Sequence, residues 1–256
     1  MSEPKTKLSM LAIIPARGGS KGLPRKNLKR LGGIPLIAHS IKLSQMCPDI
    51  TRCIVTTDDP EIATYAKQYG ADVPFLRPDA LADDDTPTMP VLRHALETLD
   101  PDGTRYDLVL LLEPTSPGRL PSDVRTAYCR LSESPEADGI IGVHRPEFNP
   151  IWHAVTEQRG TMKDLVPDGG QFGRRQDAPP VYRIDGSLYI WRSEFVSTCG
   201  DTWRPGNFLM QEVEERQFIN IDNAYELEKA DAMIRAGLID YPWLSGSFAR
   251  AMEVVA

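Results

Sequence analysis

Residues 11–27 read LAIIPARGGSKGLPRKN, and the order of their parts decides the fold. The apolar run Leu11–Ile14 predicts a short buried strand that stops at Pro15. Arg17, Lys21, Arg25 and Lys26 follow at once, interleaved with Gly18, Gly19 and Gly22. A buried strand that feeds a cationic, glycine-rich loop places that loop at the carboxyl edge of a sheet, where open α/β sheets bind ligands. Glycine lets the backbone turn tightly and aim N–H groups at an anion. Arg17 can grip two oxygens, and Lys21 supplies a point charge. The pattern predicts a polyphosphate cradle; the plain alternative is a surface loop with solvated charges. Spacing disfavours two familiar phosphate binders. The lysine of GGSKG precedes the last glycine, so GxxxxGK[ST] fails, and GxGxxG is absent.

The rest of the chain alternates strand and helix signals. Helical spacing predicts a helix over Pro35–Gln45. The β-branched RCIVTT at Arg52–Thr57 predicts a strand. A helix capped by Asp58 or Asp59 then runs to about Tyr69 and ends at Gly70. A further helix is expected over Thr86–Leu99, a strand over Leu108–Leu112, a helix over Ser122–Leu131 and a strand over Gly139–Val143. Continuous apolar runs such as LVLLL fit parallel strands covered on both faces. The alternation implies right-handed βαβ units and a doubly wound, mostly parallel α/β sheet. It breaks at His144–Asp185, where Pro, Gly and aromatic residues crowd and no long helix fits. We read an inserted arm there, part β-hairpin and part loop. Strands over Ser187–Trp191 and Phe218–Ile221 and a helix from Asn223 to about Ala236 complete a single domain spanning 1–256.

Composition bounds the function. The chain has 256 residues, 41% hydrophobic and 25% charged, an ordinary globular balance. A net charge of −7 argues against nucleic acid or an anionic membrane as partner, so the cationic loop points to a small anion. The N-terminal MSEPKTKLSM lacks an apolar leader core, and no run reaches a membrane span; a cytoplasmic location is expected. Cys47, Cys53, Cys129 and Cys199 form no CxxC pair and read as reduced bystanders.

The segment PARGGSKGLPRKN resembles the signature loop of the acylneuraminate cytidylyltransferases, the CMP-sialic acid synthetases, which typically reads PAR-x-x-SKG-x-x-x-KN. Four more stretches match in the same order. RCIVTTDDPEIATYAKQYGADVPFLRPDALADDDTP resembles the family's block ending in RP…LA…D[TS]. LLLEPTSPGR resembles LLQPTSP-x-R, and RRQDAPPVYRIDGSLYI resembles RQ…Y/FR-x-NGA-x-Y. INIDNAYELEKAD resembles IDID-x-x-x-DL. The resemblance runs from about Leu11 to Ala236.

The resemblance implies a nucleotide-diphospho-sugar transferase-like fold, and a reaction in which the anomeric hydroxyl of a 2-keto sugar acid attacks the α-phosphorus of CTP and releases pyrophosphate. It implies catalytic contacts from Arg17 and Lys21. It places Ala16, Gly18, Gly19, Ser20, Gly22, Lys26, Asn27, Arg77 and Thr86 around the nucleotide. Plain alternatives are that Arg77 pairs with Asp79 or Asp83 and that Thr86 caps its helix. The sugar side is implied to hold Glu113, Thr115, Ser116, Arg175, Arg183 and Asp185. The arm at 144–185 is implied to be β-rich and to dimerise the protein, completing a neighbour's site. Mg²⁺ is the implied cofactor, held by the family's two IDID aspartates.

Four positions depart from the family. Asn220 replaces the first of those aspartates and leaves Asp222, while Glu113 stands where glutamine is common. We expect the missing carboxylate to have moved from 220 to 113, giving a metal set of Asp222, Asn220 and Glu113. The alternative makes Glu113 a solvated strand-end acid and Asp222 a helix cap. Trp152 occupies a turn where a lysine is frequent, and Asp185 stands for the usual asparagine. Together these favour an acceptor related to sialic acid, such as a deaminated or di-N-acylated ulosonic acid. Two other readings stay open: a transferase using GTP or another acceptor, and a nucleotide-binding homologue without turnover.

Overall fold

The run Met10–Pro15 (β1) shows why the opening strand is apolar at every position. Met10, Ala12 and Ile14 pack into one core layer, while Leu11 and Ile13 pack into the layer on the opposite face. A strand covered on both faces has no solvent side on which a polar residue could sit. The computed structural model describes residues 7–244.

Beyond the cationic loop, a small ribbon of β2 (Arg30–Leu31) and β3 (Ile34–Pro35) leads into α1 (Leu36–Gln45). Then come β4 (Arg52–Thr56), α2 (Pro60–Gln68), α3 (Thr88–Leu99), β5 (Leu108–Leu111), α4 (Pro121–Ser132) and β6 (Gly139–His144). After these follow α5 (Pro150–His153), β7 (Val155–Gln158), β8 (Thr161–Asp164), β9 (Arg183–Arg192), α6 (Ser193–Thr198), β10 (Phe208–Glu212) and α7 (Ala224–Arg235). The central sheet has the order β10-β6-β9-β5-β1-β4. Its strands run parallel except β9, which lies antiparallel between β5 and β6. One face is covered from α1, α2, α4 and α7, and the other from α3 and α6. The doubly wound, mostly parallel architecture is as expected.

The local signals hold where they rest on capping chemistry. Asp59 caps α2, accepting from the amides of Glu61 and Ile62 at 2.8 and 3.2 Å. Gly70 ends it with φ +83°, a conformation that favours glycine. Asn223 and Glu226 form a reciprocal capping box on α7.

Other expectations need correction. Phe218–Ile221 is not a strand. Ile221 N donates to Thr115 O at 2.9 Å, and Ile219 and Ile221 bury their side chains, but no ladder forms. Its alternating isoleucines serve as loop anchors. The strand closing that side of the sheet is β10, whose edge position leaves Met210 half exposed and its apolar signal weak. Helix α3 begins at Thr88, so Thr86 lies in the preceding turn and caps nothing. The arm is also narrower and less β-rich than 144–185. His144 closes β6, and Arg183–Asp185 open β9, so the excursion proper spans 145–182. Among its described residues the only paired strands are the β7–β8 hairpin. The four cysteines are free thiols. Among the described residues, no helix is long and apolar enough to cross a membrane.

Candidate active site

A cavity of about 510 Å³ opens beyond the carboxyl ends of β1 and β5. It is lined by Pro15, Arg17, Ser20, Lys21, Gly22, Lys26, Asn27, Arg77, Asp84, Asp85, Glu113, Pro114, Thr115 and Asp222. Segments far apart in sequence converge there because parallel strands deliver all their following loops to one edge.

The loop after β1 is held in place by its own side chains. Asn27 is buried and donates to the Arg17 carbonyl at 3.0 Å, closing the loop on itself. Arg25 adopts left-handed backbone, φ +59°, and its guanidinium pairs with Asp59 and Glu61, which ties the loop to α2. The Gly18 amide donates to Asp58 Oδ1 at 3.1 Å and is therefore not available to a ligand. The amides from Gly19 to Gly22 carry no such partner among the described residues. Gly22 passes so close to Asp222 that a Cβ there would lie 2.5 Å from the Asp222 carbonyl oxygen. Ala16 is buried below the loop and extends the β1–β4 ladder, donating to Thr56 O at 3.0 Å.

The cations of the loop are engaged. Arg17 and Lys21 each meet one oxygen of the Asp84 carboxylate at 2.5 Å. Lys26 meets Asp222 at 2.9 Å. Arg77 pairs with neither Asp79 nor Asp83. Its guanidinium is buried and donates to the carbonyls of Thr56 and Leu81 at 2.7 and 3.3 Å, fixing the loop that carries Asp84. Burial pulls its pKa down. Thr86 is not on the cavity wall.

Glu113 and Asp222 both face the cavity. Glu113 is no solvated strand-end acid. Burial pushes its carboxyl up; Arg119 opposes the rise, and the charge of Asp222 adds to it. Nor does Asp222 cap a helix, since Asn223 does so. The Asn220 amide donates to Asp222 Oδ2 at 2.6 Å, so it orients that carboxylate and turns its donor face toward it. Among the described residues, no three His, Cys, Asp or Glu side chains form a ready metal cage. Two carboxylates on the wall of one cavity do fit a hard dication, which takes oxygen ligands and completes its shell with phosphate and water.

The sugar-side residues divide. Thr115 lines the cavity, and Ser116 lies buried behind it with its hydroxyl unpartnered. Asp185 does not present a charge to the cavity. Its side chain is buried, accepts from Ser187 N and Oγ at 2.8 and 2.7 Å, and faces His144 Nδ1 at 3.9 Å. His144 in turn stacks on Phe218 at 4.5 Å, and Arg183 lies over the same ring at 4.3 Å. Arg183 is exposed and off the wall of this cavity; half-buried Trp152 is off it too and packs on His153 within the excursion. Arg175 begins a short 3-10 turn; its side chain falls outside the described residues.

Two residues escaped sequence reading. Asp84 sits among three consecutive aspartates with nothing to single it out. Arg119 is wholly buried and holds the site's wall together, donating to the carbonyls of Ser116, Ser187 and Glu113 and to Ser40 Oγ at 2.6–3.0 Å. Burial pulls its pKa down to about 10. The arginine of PTSPGR was visible in its motif, but its burial was not.

Comparison with known proteins agrees with this geometry. A family profile described as cytidylyltransferase matches residues 11–104. The chain is 35% identical over 187 residues to the CMP-N,N'-diacetyllegionaminic acid synthase of Legionella pneumophila, covering 72% of this chain and 78% of that relative. It is 33% identical over 228 residues to the protein of the same name from Campylobacter jejuni, covering 88% and 94%. In fold it is similar to a CMP:2-keto-3-deoxy-manno-octonic acid synthetase solved with CTP, at TM-score 0.69 and 18% identity over 90% of this chain and 99% of that one. With its motifs in order on one sheet edge and relatives this similar across most of their lengths, the chain belongs to the acylneuraminate cytidylyltransferase family.

Proposed function

We propose that the protein joins CTP to a nonulosonic acid, giving the CMP-sugar and pyrophosphate. The observation that carries this reading is one cavity at the strand ends that gathers Arg17, Lys21, Lys26, Glu113 and Asp222. The reaction asks little covalent chemistry of the protein. The anomeric oxygen bonds to the α-phosphorus while the bond to the pyrophosphate oxygen breaks, so positioning and charge neutralisation do most of the work. Arg17, Lys21 and the amides from Gly19 to Gly22 receive the triphosphate, and Lys26 and Asn27 hold the loop that presents them. Mg²⁺, held by Glu113 and Asp222 with Asn220 orienting the latter, would offset phosphate charge and polarise the reacting phosphoryl group.

The two legionaminic acid relatives support a di-N-acylated acceptor. Trp152, in place of a cation, is consistent with that choice, with Thr115 and Ser116 on the acceptor side. Asp185 acts within the wall, through His144, and not as a charge facing the sugar. The exposed apolar residues of the excursion support a homodimer.

The test is pyrophosphate release by purified protein given CTP or GTP, Mg²⁺ and a panel of ulosonic acids. Arg17→Ala and Lys21→Ala are expected to lower kcat/KM by about 10²–10³ each, the worth of one preorganised donor or charge. Near wild-type turnover in either variant would remove the phosphate-cradle assignment. No release with any acceptor would favour a silent nucleotide-binding homologue.

A further inference from the structure

Asp84 holds both cations that the nucleotide needs. Its two carboxylate oxygens each contact one of them, Arg17 Nη1 and Lys21 Nζ, at 2.5 Å. Two cationic donors on two oxygens of one anion are the arrangement that a phosphate group would itself demand of these side chains. The contact also holds the Asp84 carboxyl below the usual carboxylate range, the Lys21 hydrogen bond being the largest cause.

The backbone around Asp84 allows the contact to break without unfolding anything. Asp79–Leu81 forms a 3-10 turn on one side, and α3 starts at Thr88 on the other. Between them only the Thr86 N to Asp83 O bond, 3.2 Å, closes the turn on which Asp84 rides. Arg77 pins Leu81 O, so the base of this loop stays fixed while its tip can swing.

We propose that Asp84 is an internal competitor for phosphate: it occupies Arg17 and Lys21, is displaced by the triphosphate, and returns to them as pyrophosphate leaves. This rests on the cytidylyltransferase reading for its substrate, but the competition itself concerns any polyphosphate at these two cations. Its effect is to weaken ground-state binding and to shorten the stay of the product. A site that grips phosphate too tightly would be held by its own pyrophosphate, since binding substrate and product more strongly does not raise turnover.

The test compares wild type with Asp84→Asn, a near-isosteric change on an exposed turn, and with Asp83→Asn, which removes an equal charge one residue away from the contact. Calorimetry with inorganic pyrophosphate at fixed low salt is the primary readout, since it needs no turnover. Two partly exposed ion pairs are modest interactions, so their removal as competitors is expected to tighten pyrophosphate binding about tenfold in Asp84→Asn. Asp83→Asn is expected to change it less than about twofold, the general effect of one screened charge. In turnover assays Asp84→Asn should also show a lower KM for CTP and stronger product inhibition by pyrophosphate. Unchanged or weaker pyrophosphate binding in Asp84→Asn would overturn the proposal and make Asp84 a positioning residue for the two cations. Equal tightening in both variants would overturn it too, leaving only a bulk charge effect. Should Asp84→Asn alone bind pyrophosphate more tightly while no variant turns CTP over, the competition stands and the assigned reaction falls.

Discussion

Glu113 is an acid held where burial and a neighbouring carboxylate both disfavour its charge. Its pKa in the fold is above that of the unfolded chain, so the stability it contributes is present below the ordinary glutamate range and lost as pH rises through the raised value. At neutral pH the ionised group therefore costs stability. Glu113→Gln is expected to raise Tm at pH 7, with the gain vanishing in acid, as thermal denaturation at several pH values would show. The same substitution should lower kcat/KM about 10²-fold at limiting Mg²⁺, the scale of one lost electrostatic contact in a transition state. Asn220→Asp restores a second carboxylate beside Asp222 and should rescue the Glu113→Gln variant. Residues acting independently would give multiplicative effects, so kcat against Mg²⁺ for both single variants and the double variant measures the coupling. No rescue would mean that the charge has not moved between the two positions. Arg119 is a residue of another kind. It satisfies three backbone carbonyls and a hydroxyl from inside the protein, and Arg119→Ala, which strands them, should destabilise the fold by about 3 kcal/mol in chemical denaturation.

At the level of elements, the cationic loop and the start of α7 are fitted together through a glycine. A side chain at Gly22 would meet the Asp222 carbonyl oxygen, which is backbone and cannot swing aside. Gly22→Ala should therefore push the loop away from α7, part Lys26 from Asp222, and cost about 1–3 kcal/mol, the range for overpacking. KM for CTP should rise with it. Gly19→Ala is the matched control, because nothing lies within 4 Å of a Cβ at that position. It should keep the stability of the wild type. Equal effects at both glycines would mean that loop flexibility, and not close approach, is what the site requires. Strand β9 shows a different element-level choice. Returning from the excursion, it enters the sheet antiparallel between β5 and β6, which sets Gly186, φ +74°, against the Glu113 and Ser116 side chains.

Over the whole molecule, the excursion carries a group of large apolar residues that the other described residues leave uncovered. Phe148, Val155, Met162 and Leu165 are 50–73% exposed, and the β7–β8 hairpin touches water on almost every residue. A two-stranded hairpin is marginal alone, so a second copy of the chain packing on it would supply the missing burial. Sedimentation velocity is expected to give a homodimer, and Met162→Asp with Leu165→Asp to shift it toward monomer without loss of the far-ultraviolet spectrum. A monomer at working concentration would count against both the dimer and a shared site.

What the sequence determined by itself was whatever depends on neighbours along the chain. The apolar runs at Leu11–Ile14 and Leu108–Leu112 marked β1 and β5, because strands buried on two faces must be apolar throughout, and β-branched RCIVTT marked β4. Asp58 or Asp59 and Gly70 marked the ends of α2, because capping and left-handed turns are local chemistry. The ordered motifs marked the family, and with it Arg17, Lys21, Lys26, Glu113 and Asp222 as one site. Tertiary structure alone decided which charges meet. That Asp84, out of three adjacent aspartates, bridges Arg17 and Lys21 depends on where the loop before α3 folds over the sheet edge. That Arg119 and Asp185 lie inside the wall and not on its surface depends on what packs over them. Strand β10 was missed, and Phe218–Ile221 mistaken for a strand, because an exposed edge weakens the alternation that two buried loop anchors happen to imitate. Local free energies are written in the order of residues, whereas pairing and burial are set by distances that only the folded sheet creates.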